Sequence, residues 1–193
     1  MHHIYHTEGI ILGSKNYGEA GKYYTIFTRD LGLVNASAQG VRKISSKLRF
    51  VLQDFSYLKI DLVRGKDFWR ITNVSKTNKL EDISRQHSTF EIFINISKLL
   101  KRLLTGEYPN EILFDDLLDG LIFLEKCKVA EELRNIEVVV VLRILNHLGY
   151  VGDNESLKNI IKLPYGDGLV VEAKKNRTKI VSEINHALHE THL

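Results

Sequence analysis

The sequence predicts an α+β protein, an N-terminal five-stranded OB-fold β-barrel followed by an α-helical domain, divided at residues 1–78 and 79–193. Three observations lead there. Up to about Val74, short runs rich in Ile, Val, Thr, Tyr and Phe are separated by glycines. Beyond the polar connector SKTNKLEDISRQ, apolar residues recur instead at intervals of three and four. The 193 residues, 44% of them hydrophobic, are also enough to bury a substantial core.

The strand runs are His6–Leu12, Lys22–Arg29, Leu33–Ala38, Leu52–Val63 and Phe68–Val74, with Gly18, Gly21, Gly32, Gly40 and Gly65 at or near the breaks. Closing five such strands into a barrel removes the exposed edges of a flat sheet, and the OB-fold is a five-stranded closure that also binds nucleic acid. NYGEA, from Asn16, reads as the loop joining the first two strands, with TIFTR continuing the second and DLG turning into the third.

Phe93, Ile96, Leu100 and Leu103 share one helical face, and Phe114, Leu117, Leu118, Leu121 and Ile122 share another. Between them TGEYPNE carries Gly106 and Pro109, the stop and start signals of a helical hairpin. A third helix is expected over Ala130–Leu148, ending at Gly149, although the β-branched run Val138–Val141 opposes it. Residues 150–176 read as a short irregular or β-containing insertion, because LPYGDGLVVEAKKN suggests a turn and then an extended segment. A last helix, Thr178–His189, would align Ile180, Ile184 and Leu188.

Composition narrows the function classes. The lone Cys127 forms no internal disulfide and no CxxC zinc site, which suits a reducing cytoplasm. The start MHHIYHTEGIIL lacks the pattern of a signal peptide, and no apolar run reaches the roughly 18 residues of a membrane span. A soluble cytoplasmic protein without membrane contact is the expectation. Charge is uneven: residues 1–75 hold eleven Lys/Arg against six Asp/Glu, and the remainder sixteen against eighteen. A basic N-terminal part suggests a polyanionic partner.

The strongest constellation is GVRKISSKLRF, where Arg42, Lys43, Lys47 and Arg49 surround Ser45 and Ser46. Clustered cations and hydroxyls suit phosphate oxygens; the alternative is an ordinary solvated turn. In DFSYLKIDLVRG, alternation sends Leu58, Ile60 and Leu62 to one face and Phe55, Tyr57 and Lys59 to the other. If the first face fills the barrel, Tyr57 and Phe55 point outwards beside Lys59, as stacking platforms for bases; alternatively they pack under the helical domain. Arg64 and Lys66 add charge nearby, and Tyr23 and Trp69 are open to the same two readings.

Catalytic signals are weak. His2, His3 and His6, and His186, His189 and His192, cluster at the termini, but HALHETH is not HExxH and no carboxylate or cysteine set completes a site. Asp115 and Asp116 fit the solvated side of an amphipathic helix, and neither GxxxxGK[ST] nor GxSxG occurs. No enzyme activity, cofactor or metal is expected.

Taken in order, TEGIIL, NYGEA, TIFTRDLG, QGVRKISSKLRF and LQDFSYLKIDLVRG resemble the N-terminal domain of the RecO family of bacterial recombination mediators; ISKLLKRLL, EILFDDLLDGLIFLE and VLRILNHLGY are similar, more weakly, to its helical domain. The resemblance implies a non-enzymatic protein that binds single- and double-stranded DNA, anneals complementary strands, and contacts RecR and the acidic tail of single-stranded DNA-binding protein. These actions help load RecA. It places DNA contacts at Lys15, Lys22, Arg29, Arg42, Lys43, Lys47 and Arg49, beside Lys59, Arg64 and Lys66 from the residues alone. An acidic partner peptide would meet an apolar groove edged by Arg134 or Arg143. Three departures stand out: no four-cysteine zinc module follows LGY, the tail is short, and Gly21 and Gln39 occupy positions where the family often has a polar or acidic residue and a lysine.

Overall fold

The computed structural model describes residues 3–152 and 154–190. Five strands, β1 (Ile4–Tyr17), β2 (Gly21–Thr28), β3 (Gly32–Ala38), β4 (Tyr57–Arg64) and β5 (Trp69–Lys76), close a barrel in the order β1-β2-β3-β5-β4. Every pairing is antiparallel except β3 with β5, which are parallel and meet at only two residue pairs, Ala36↔Trp69 and Ser37↔Arg70. β1 pairs with β4 along its first half and with β2 along its second. The register shifts between Ile11 and Gly13, where Gly13 takes φ 149°, so one long strand bends from one partner to the other.

Alternation divides the barrel residues between two cores. Ile11, Tyr24, Ile26, Val34, Leu58, Ile60, Leu62 and Trp69 fill the interior. Ile10, Leu12, Phe27 and Tyr57 point outwards at one end and join the core of the helical domain. The interface between the domains is therefore continuous hydrophobic packing.

The helices are α1 (His87–Leu103), α2 (Glu111–Lys126), α3 (Ala130–His147), α4 (Glu155–Lys162) and α5 (Asp167–Glu190). Asn110 caps α2, its side-chain oxygen accepting from the Leu113 N–H at 3.0 Å. The α1–α2 linker straps the barrel. Leu33 N–H donates to Gly106 O at 3.1 Å, and Glu107 accepts from Trp69 Nε1 at 3.0 Å while pairing with Arg64.

Several expectations change. Asn16 and Tyr17 belong to β1, so the first turn is only residues 18–20. Residues 52–56 are not strand: Phe55 sits at φ 64°, and β4 begins at Tyr57. The 150–176 region contains α4 and the first part of α5, not an extended segment. Val170 and Val171 lie in α5, where Leu169, Ala173, Ile180 and Ile184 form one buried stripe. Tertiary burial of that stripe overrides the local β preference. The β-branched run of α3 likewise yields to its packing, with Val139 and Val140 fully in the core.

Candidate nucleic-acid interface

The loop from β3 to β4 returns past the β1–β2 turn and is pinned to it. Arg42 N–H donates to Ala20 O at 2.9 Å, and Arg42 Nη1 reaches Gly18 O at 3.4 Å. Gly40, at φ 66°, makes the sharp exit from β3, and Val41 and Leu52 anchor the loop in the barrel core. Between these anchors the chain is free to present side chains to solvent. Arg42, Lys43, Lys47 and Arg49 are exposed, as are Ile44 and Phe50.

Lys22, Arg42 and Arg49 line one depression of about 340 Å³ together with Tyr24, Val41, Leu52 and Gln53, with no carboxylate among them. Lys22 also donates to Ser14 Oγ at 3.2 Å. Three cations at one concavity without a counter-carboxylate raise the local potential and suit an anion. Lys15 is exposed on β1, and Lys66 is exposed in the loop between β4 and β5.

Other expected contacts are spent elsewhere. Arg29 faces the helical domain: Nε and Nη2 donate to Asp115 at 3.0 and 2.9 Å, and Nη2 lies 3.3 Å from Glu111. This bidentate pair holds the Asp115 carboxyl below the usual carboxylate range. Arg64 pairs with Glu107 and lies over the Trp69 ring, 4.9 Å from its centroid. Lys59 is exposed but sits apart, in a groove of about 750 Å³ with Lys76, Lys79, Glu8 and Asp115.

Tyr57 is not an outward platform. It is 4% exposed, its ring is 6.3 Å from that of Phe114, and its hydroxyl donates to Glu8 Oε2 at 2.6 Å. Burial, followed by the Glu8 contact, raises its phenol well above the ordinary value. Phe55 packs edge-on to Phe90 and Phe93 of α1. Both aromatics serve the seam between the domains. Trp69 is buried too, whereas Tyr23 stays half exposed.

In the helical domain Arg143 is 4% exposed and held by several partners, its Nε alone lacking one. It donates to Asp116 Oδ1 at 2.9 Å, to Ile160 O at 2.8 Å and to Leu163 O, and it lies over Tyr165. Asp116 also meets His147 Nε2 at 3.2 Å, so it faces inward rather than solvent. The charge of Arg143 is thus largely committed within the fold, although it still lines a groove with Ile122, Phe123 and Leu163; Arg134 is exposed. No cluster of three or more metal-ligating side chains occurs among the described residues, and His2 and His192 lie outside them. Among the described residues, no helix is long and apolar enough to cross a membrane.

Sequence reasoning missed Tyr17, Phe68 and Arg70 on the barrel surface and Lys101 of α1 beside it. The placement of Arg70 depends on register: Lys15↔Tyr23, Tyr23↔Ser37 and Ser37↔Arg70 form one row across four strands. No local pattern reveals such a row.

A closed barrel with this strand order, and with cations gathered beside its β1–β2 turn, is an OB-fold, an architecture whose β1–β2 and β4–β5 loops recurrently hold oligonucleotides. The family model for the N-terminal domain of recombination protein O matches residues 1–79. The chain is 27% identical over 147 residues to the DNA repair protein RecO of Desulfitobacterium hafniense, covering 76% of this chain and 52% of that protein. To the RecO of Thermodesulfovibrio yellowstonii it is 29% identical over 152 residues, covering 77% and 59%. To that of Alkaliphilus metalliredigens it is 32% identical over 106 residues, covering 55% and 38%. The N-terminal part of the chain thus matches the RecO N-terminal domain, and the chain spans between half and three fifths of the length of the first two of these relatives.

Proposed function

We propose that this chain acts in DNA repair and recombination as a non-enzymatic DNA-binding protein, gripping phosphates with the cations around its β1–β2 turn. The observation that carries the reading is the depression shared by Lys22, Arg42 and Arg49, flanked by exposed Lys43 and Lys47 on the same pinned loop. Such contacts are independent of sequence and act on single and double strands alike. Two strands held on one basic surface repel each other less, which favours annealing. Similarity to RecO proteins supports the repair role, and RecR, the tail of single-stranded DNA-binding protein and RecA are the partners proposed for it.

The test is fluorescence anisotropy with single- and double-stranded oligonucleotides across a salt series. Affinity should fall linearly on logarithmic axes with added salt. Absent or salt-insensitive binding would overturn the proposal.

A second reading makes the helical domain a peptide-binding scaffold. It is favoured by a groove of about 440 Å³ where Ile122, Phe123 and Leu163 give an apolar floor, Lys126 and Lys162 supply positive charge, and Asp116, already paired with Arg143, and Asp119 lie at its side. An acidic peptide with a hydrophobic end fits that chemistry. Titrating a labelled acidic tail peptide against a charge-reversed control tests it, and equal binding of the two would exclude it.

A further inference from the structure

The outer surface of β2 changes character along its length. Phe27 lies under α2, with its ring 5.3 Å from that of Phe114, whereas at the other end the same face is open to solvent. There Tyr23 stands between two other aromatics. Its ring is 4.3 Å from that of Tyr17 and 5.0 Å from that of Phe68. Tyr17 closes β1 just before the first turn, and Phe68 closes the loop between β4 and β5, where Gly65 N–H donates to Phe68 O at 3.1 Å. Tyr17 is 51% exposed, and Tyr23 and Phe68 are half-buried.

Three adjoining rings at the surface are costly to leave in water unless something covers them. The charges around them indicate what. Lys15 pairs with Tyr23 across β1 and β2, Arg70 ends the same row, and Lys66 lies in the loop of Phe68, where Asp67 puts a carboxylate beside the rings. From Tyr23 a groove of about 550 Å³ runs along the outer face past Lys15, Thr25 and Asn35 to Phe55 and Lys101, with Asp54 as its one carboxylate. Lys101 brings a cation from α1 to this path.

We propose that Tyr17, Tyr23 and Phe68 form a base-stacking platform, and that an unpaired strand lies across it into the groove with its phosphates toward Lys15, Lys101 and Arg70. This rests on the DNA-binding reading and specifies which form of DNA the barrel prefers. Paired bases bury their faces in the helix stack, so stacking on the rings discriminates in favour of unpaired strands. Phosphate contact alone does not.

The experiment compares a thymidine oligonucleotide, an abasic strand of equal length and a duplex, each across a salt series. The proteins are the wild type, the double variant Tyr17→Ala/Phe68→Ala and the aromatic-retaining Tyr17→Phe/Phe68→Tyr. For the wild type, the thymidine strand should bind about tenfold or more tightly than the abasic one. The alanine variant should lose that advantage while keeping its salt slope and its duplex affinity, and the aromatic-retaining variant should keep it. Equal wild-type affinity for thymidine and abasic strands, or an unchanged preference in the alanine variant, would overturn the platform. Failure of the wild type to bind any of the three would instead overturn the DNA-binding reading itself.

Discussion

The guanidinium of Arg29 lies fork-to-fork on the carboxylate of Asp115, tying the end of β2 to the outer face of α2 across the junction of the two domains. A cation expected on the DNA path is thus part of the seam. Asp115 has its carboxyl lowered by the Arg29 hydrogen bond, so its contribution to stability is present above the unfolded carboxylate value, about 3.9, and is lost as pH falls through the lower folded value. Asp115→Asn should therefore lower the thermal midpoint at neutral pH. The gap to wild type should close as a thermal-melt series descends below about pH 4, and a gap independent of pH would contradict the assignment.

Replacing Arg42, Lys43 and Lys47 together with alanine should weaken DNA binding for every sequence tested. All three side chains are exposed, so folding should survive. If each meets one phosphate, the logarithmic salt slope on single strands should shrink by about 2, from roughly 0.7 per contact. Anisotropy titrations measure both quantities, and an unchanged slope would move the phosphate site elsewhere.

Tyr57 separates packing from binding. Its truncation to alanine removes a buried ring from the seam between the barrel and α2, at a cost of about 3–5 kcal/mol. Tyr57→Phe loses only the Glu8 hydrogen bond, about 1 kcal/mol. Urea denaturation should rank the variants in that order, and Tyr57→Phe should bind single strands as wild type does.

Arg143→Ala should destabilise the helical domain by about 3 kcal/mol, since it takes the guanidinium from Asp116, leaving it only His147, and from two carbonyls, Ile160 O and Leu163 O. Arg134→Ala should leave stability within about 0.5 kcal/mol, as an exposed position does. Denaturation midpoints decide both, and acidic-peptide titration of Arg134→Ala tells whether that arginine has any part in partner binding.

Gly32 is required by geometry. It sits at φ 74°, and a Cβ there would lie 2.5 Å from Tyr108 O in the α1–α2 linker. Gly32→Ala should cost about 1–3 kcal/mol from overpacking, with backbone strain in addition. Because the clash is with backbone, relief requires the linker to move, and faster amide exchange at Leu33 should report it.

The barrel was legible in the sequence because its strands carry β-branched and aromatic residues between glycines, and α1 to α3 because their apolar spacing is helical. Alternation correctly sent Leu58, Ile60 and Leu62 inward. It could not tell that the opposite face, at Tyr57, is covered by Phe114, which lies 57 residues along the chain. The same limit applies to Arg29, whose partners are in α2, and to Arg143, whose partners are in α2 and around α4. Charge identity is local, whereas charge commitment depends on tertiary partners. α5 was misread at its start because Gly166, Gly168, Val170 and Val171 have weak helical preference, and only the burial of Leu169 and Ala173 against the bundle outweighs it.

The two-pair junction of β3 and β5 has a mechanical consequence. It is the thinnest stitch in the ring, and the helical hairpin holds both of its strands, Gly106 O accepting from Leu33 N–H of β3 and Glu107 from Trp69 Nε1 of β5. A lever so placed works in both directions. Anything that draws the hairpin loop away slackens the ring, and a ligand that stiffens the ring resists that pull by the same free energy. The grip of the barrel and the posture of the helices are thus geared together through two adjacent linker residues, Gly106 and Glu107.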